Sequence, residues 1–121
     1  MLSGWVYYKL KLVPHNKEKD GEVRIDLITW KMFIKAALKK YHGLFGEGIE
    51  YYFLNQQNDI AYLKVDFVDK EVLQTSVSSY ISGEDLVGVP LTMEILQVTN
   101  SVTSLETNED DKLWINKEIE E

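Results

Sequence analysis

The chain has no cysteine, and that absence removes disulfides, thiolate nucleophiles and cysteine-based zinc sites together. A reducing compartment, cytosol or nucleus, suits such a composition. Proline is scarce, at two residues in 121, and the chain holds no long low-complexity tract that would signal disorder. No apolar run approaches the roughly 18 residues that a membrane-spanning helix needs. The N-terminal MLSGWVYYKL also lacks the apolar core of a signal peptide. Histidine is limited to His15 and His42, and no serine lies near either in sequence, so nucleophilic catalysis finds no local support.

What is present is a core. Hydrophobic residues make up 45% of the chain, with seven Tyr, four Phe and three Trp. This is enough for one domain over residues 1–121, with a core over 4–99 and a C-terminal helical extension over 107–121. The net charge of −7 conceals an asymmetry. Residues 1–40 carry nine Lys/Arg against four Asp/Glu, whereas residues 41–121 carry four against sixteen. Phosphate neutralisation supplies most of the affinity of a freestanding nucleic-acid binder, so an acidic chain is poorly suited to that role. Only the N-terminal third suits phosphate, and the remainder suits a basic protein partner.

WVYYKLKLV (5–13) alternates as a half-buried strand that Pro14 ends. A polar loop over 15–22 follows, with an Asp20–Gly21 turn signal. Thr29, with Asp26 as the alternative, caps a helix running to about His42, whose apolar stripe is Trp30, Phe33, Ile34, Ala37, Leu38 and Tyr41. IEYYFLN (49–55) and IAYLKVDF (60–67) read as a hairpin. Asp69 is placed to cap a second helix over about 70–81, and LTMEILQV (91–98) is a fourth strand. Thr107 to Asp110 has a capping-box pattern that opens a last helix. The order β-α-β-β-α-β predicts an α+β fold: a four-stranded antiparallel sheet with two helices on one face, ferredoxin-like or like an RNA-recognition motif, plus a C-terminal helix. In the usual spatial order 4-1-3-2, Val6, Tyr8, Leu10, Ala61, Leu63 and Val65 face the helices. Tyr7, Lys9, Lys11, Tyr62 and Lys64 then lie on the opposite face.

Several groups deserve weighing as sites. Gly43, Gly46 and Gly48 crowd a short stretch between helix and strand. A phosphate cradle needs the reverse order, a strand running into a glycine turn and then a helix whose amides face the anion. The three glycines are therefore structural: Gly43 past a helix C-cap, Gly46 and Gly48 at the reversal onto the second strand. Tyr7 and Tyr62, flanked by lysines, are placed either to stack bases or to be covered by the C-terminal helix or a partner. Lys31, Lys35, Lys39 and Lys40 form a basic ridge, either a solvated helix face or a contact for RNA phosphates or an acidic partner. The acidic runs Glu84–Asp85 and Glu109–Asp110–Asp111 read as solvated or capping residues rather than a cation site. Leu113, Trp114, Ile115 and Ile119 are too many apolar residues for a solvated tail, so the last helix docks on its own domain or anchors a partner. Nothing requires a cofactor, a metal or a small-molecule substrate.

Five stretches in order, TWKMFIKAALKK, YHGLFGEGIEYYFL, AYLKVDFVDK, SSYISGEDLVGVPLT and DDKLWINK, make the chain similar to a fungal family of protein subunits of nuclear RNase P and RNase MRP, among the small α/β RNase P subunits. The resemblance runs from about Trp5 to Lys117. It implies a non-catalytic subunit of a nuclear and nucleolar ribonucleoprotein whose catalytic component is RNA. That enzyme removes 5′ leaders from precursor tRNA and cleaves precursor ribosomal RNA. The implied partners are a related small α/β subunit in a heterodimer, a TIM-barrel-like subunit, and the RNase P or MRP RNA, touched directly or through those proteins. The family supplies no catalytic residues to carry over.

Overall fold

Trp5–Pro14 forms strand β1, and its alternation sorts the side chains: Val6, Tyr8, Leu10 and Leu12 are buried on one side, while Lys9 and Lys11 stay partly accessible on the other. The protein is seen here as a computed structural model that describes residues 4–15, 23–107 and 111–120. The expected turn at Asp20–Gly21 and most of the Thr107–Asp110 capping pattern lie outside the described residues. Helix α1 spans Leu27–Glu47, followed by β2 (Tyr51–Gln57), β3 (Ile60–Asp66), α2 (Lys70–Ser79), β4 (Leu91–Thr99) and α3 (Lys112–Glu120). Short 3-10 turns at Phe67–Asp69 and Val102–Ser104 precede α2 and lie between β4 and α3.

The four strands form one antiparallel sheet in the order β2-β3-β1-β4, the order expected from sequence. Pairing of Tyr8 with Leu63 and of Leu10 with Ala61 puts both central strands' apolar residues under α1 and α2. Trp30, Phe33, Ile34, Ala37 and Leu38 close this layer from above. Trp30 is fully buried, and its indole N–H donates to the Asn58 carbonyl at 2.8 Å. Asn58, at φ 52°, makes the β2–β3 turn, and its side-chain oxygen accepts the Ile25 N–H at 2.9 Å.

Three helix boundaries bear on the sequence reading. Of the two candidate caps it is Asp26 that serves, accepting the Thr29 N–H at 2.8 Å, and this bond holds its carboxyl below the usual range. Thr29 itself sits one turn in, buried against the core. At the other end Gly43 has the expected positive φ, 56°, but the chain resumes helical geometry and runs on to Glu47 rather than stopping near His42. The kink tucks the added turn against the helix, so a Cβ on Gly46 would lie 2.4 Å from the Leu38 carbonyl oxygen. Gly46 is thus required by space rather than by φ, and Gly48, at φ −81° with its nearest neighbour at 3.5 Å, tolerates a side chain. At the start of α2, Asp69 makes no side-chain cap bond. Asp66 instead caps the preceding 3-10 turn, accepting the Val68 N–H at 3.0 Å.

The three glycines should therefore separate in urea denaturation. Gly46→Ala is expected to cost about 1–3 kcal/mol through overpacking and Gly43→Ala about 1 kcal/mol through strain at positive φ. Gly48→Ala should stay within about 0.5 kcal/mol of the parent. Asn58→Ala, which strands the Ile25 N–H and strains the turn, should cost about 1–3 kcal/mol in the same measurement.

Candidate functional site

The sheet face away from α1 and α2 carries the residues singled out from sequence. Register places Tyr7 opposite Lys64 and Lys9 opposite Tyr62, with Tyr52 beside Lys64 on the edge strand. Aromatic rings interleaved with lysines are the composition of a surface that stacks nucleobases. This face is not open, however. Tyr7 and Tyr62 are buried in a second, smaller cluster with Val102 and Leu105, and Trp114 packs against it.

The cover is the C-terminal segment. Gln97 bonds the Ser104 carbonyl and the Glu106 N–H, both at 2.7 Å, which pins the turn after β4. The Trp114 ring lies 5.1 Å from that of Tyr62, tilted by 37°, and its indole N–H donates to Asp111 at 2.7 Å. Asp111 is buried and also accepts from Asn55 at 2.9 Å, which ties the start of α3 to β2. At the far end of α3, Glu118 accepts the Tyr7 hydroxyl at 3.0 Å and the Lys64 ammonium at 2.6 Å. A buried ion pair gains little net stability over apolar packing, but losing one partner strands the other charge. The pair therefore fixes where α3 lies more than it stabilises the fold.

Of the residues expected at a partner contact, Trp114, Tyr7 and Tyr62 are thus engaged within the chain. Ile115 is half-buried, and Leu113 points outward at 85% exposure. The lysine ridge is divided. Lys31 and Lys35 flank an apolar groove of about 560 Å³ beside Met32 and Tyr52, Lys39 approaches Glu47 at 4.0 Å, and Lys40 leans over Tyr41 and Tyr80. His15 bonds the Thr92 hydroxyl at 2.9 Å, remote from His42 on α1. Among the described residues no group of three metal-binding side chains occurs. No described helix is long and apolar enough to cross a membrane.

Sequence reasoning missed a different surface. At the end of the sheet where β1 begins and β3 and α1 finish, Trp5, Leu44, Phe45, Tyr52, Phe67 and Val68 are all exposed. Leu44 reaches 86% and Val68 77%. The signal was the apolar pair between Gly43 and Gly46, which falls beyond the helix's buried stripe and has no place in the core pattern.

Burial pushes the hydroxyls of Tyr7 and Tyr62 up to about 12, reinforced by Glu118 and Asp111 respectively. The unfolded chain releases these protons from its ordinary value near 10.0, so between there and about 12 the folded state holds more protons and loses stability as pH rises. Urea midpoints should fall across that interval, and Tyr7→Phe should make the fall shallower.

Comparison with known proteins gives a consistent result. A family model described as Ribonucleases P/MRP protein subunit Pop8 matches residues 4–80. The chain is 43% identical over 117 residues to the Ribonucleases P/MRP protein subunit POP8 of Saccharomyces cerevisiae, covering 97% of this chain and 88% of that one. It also superposes on a chain of the cryo-EM structure of yeast ribonuclease MRP with a TM-score of 0.85 at 42% identity. That match covers 97% of this chain and 89% of that one.

Proposed function

We propose a function that starts from one fact: the chain belongs to the Pop8 family of ribonucleases P/MRP protein subunits. It serves as a non-catalytic subunit of the RNase P and RNase MRP ribonucleoproteins, supporting tRNA 5′-leader removal and precursor ribosomal RNA processing. It acts through protein–protein contacts, pairing with a related small α/β subunit and meeting a TIM-barrel-like subunit, in the nucleus and nucleolus. The observation that carries this reading is likeness to a yeast subunit over nearly the whole of both chains.

Two features of the molecule support it. The acidic body repels RNA and suits basic proteins. The aromatic face that an independent RNA-binding domain would use is occupied by α3, with Trp114 on Tyr62 and Glu118 on Lys64. RNA contact through the assembly's other proteins fits better than base stacking on this sheet.

Affinity-tagged full-length protein, captured from its own cells at high salt, should bring down both RNase P and RNase MRP RNAs. Co-expression with the related small subunit should yield a stable heterodimer. Recovery of neither RNA, or a monomer indifferent to that subunit, contradicts the assignment.

A further inference from the structure

The exposed end of the sheet holds a recess with a definite chemistry. It is lined by the Trp5 and Tyr52 rings, packed edge-to-face at 5.6 Å, and by the carboxylates of Glu50, Asp66 and Asp69. Its volume is about 250 Å³, room for one long side chain. Among the described residues no cation lines it and none of the three carboxylates is in an ion pair. Glu50 accepts the Tyr52 hydroxyl at 2.8 Å and Asp66 caps a turn, while Asp69 makes no cap bond. Val68, which also lines the recess, stands largely exposed.

We propose that this recess is a socket for an arginine side chain presented by a protein partner between apolar neighbours. The parts of Trp5 and Tyr52 that line the recess give a planar cation an aromatic wall, and the carboxylates give its N–H groups acceptors. Arginine suits this combination better than lysine, because a guanidinium stacks and forks where an ammonium is a strongly hydrated point charge. A flanking apolar residue of the partner segment rests on Val68.

Charge decides among the occupants. Three unpaired carboxylates repel a nucleic acid. A second copy docking through the same patch would set those carboxylates against each other across the two-fold axis. The chain's own single arginine, Arg24, lies at the far recess beside Asp26 and Asn58, so the cation comes from outside. Lys64 lies over both rings, 4.5 Å from Trp5 and 5.9 Å from Tyr52, but it does not line the recess and its charge is taken by Glu118, so the incoming cation meets the ring surface that lines the recess itself.

The socket deepens the subunit reading, on which only its cellular test rests. Nitrogen-15 NMR titration of the full chain with acetyl-Leu-Arg-Leu-amide should shift the Trp5 indole and the Gly48 and Val68 amides. The lysine peptide should bind about threefold or more weakly, and a norleucine peptide should leave these signals in place. Glu50→Gln with Asp69→Asn, which removes no cap bond, should weaken the arginine peptide about tenfold with the spectrum otherwise intact. Unmoved signals, or equal shifts with norleucine, overturn the socket. In cells, the charge-reversed pair Glu50→Lys and Asp69→Lys should lose most RNase P RNA recovery, while Glu84→Lys, the same change of sign on the exposed loop before β4, keeps it. Full recovery by the folded charge-reversed protein overturns the socket's role in assembly. Failure of the parent protein to recover the RNA counts against the subunit reading, while the peptide titration still decides the socket.

Discussion

The arrangement of this molecule depends on the bond from the Trp30 indole to the Asn58 carbonyl. A buried indole needs an acceptor for its N–H, and the Asn58 carbonyl supplies it by bringing the β2–β3 turn against the first turn of α1. Asn58 answers twice, with its carbonyl to Trp30 and its side chain to the Ile25 N–H, and Gln56 adds a third bond to the Ile25 carbonyl. Asn58 adopts a positive φ in that tight turn, which asparagine tolerates better than most residues. With the helix start fixed there, about 24 Å of helix runs across the sheet before Gly43. The kink and its exposed Leu44 and Phe45 are thereby delivered to the opposite end of the helix.

The two faces of the sheet are closed by different physics. Under α1 and α2 the contact is continuous and apolar, with Tyr8 turning its hydroxyl to Gln74 at the margin. On the other face α3 is held by one aromatic contact and a few directed bonds to Asp111 and Glu118, and Leu113 and Ile119 remain exposed. The apolar cluster of Tyr7, Tyr62, Val102, Leu105 and Trp114 closes this face, and the charged and polar bonds around it set the position of α3 more than they stabilise the fold. The face resembles a base-stacking platform in composition, yet the protein's own indole and carboxylate occupy it. That occupancy turns the outward-looking surface away from the sheet centre and toward its end.

Much of this architecture was legible in the chain. Alternation in WVYYKLKLV and IAYLKVDF gave both central strands and their inward faces, because period two is a local property that burial on one side enforces. The 3.6-residue stripe beginning at Trp30 gave α1 for the same kind of reason. The cap at Asp26 and the extra turn after Gly43 were harder. Competing caps differ by local bonds alone, and a glycine that ends one helical segment does not say whether another turn follows. The exposed end surface was illegible because its parts lie far apart in sequence: Trp5 on β1, Phe45 after the kink, Tyr52 on β2 and Val68 past β3.

The sequence by itself determined the order of elements, the inner core, the positive φ of Gly43 and the family to which the chain belongs. These follow from local periodicity, from backbone sterics and from residues recurring in a fixed order. Only the tertiary structure decided that Gly46 is required by space, that α3 covers Tyr7 and Tyr62, and that Trp5, Tyr52 and three carboxylates converge on one recess. Each is a contact between segments whose separation along the chain carries no information about their distance in space. Sheet register and the docking of α1 through Trp30 bring them together.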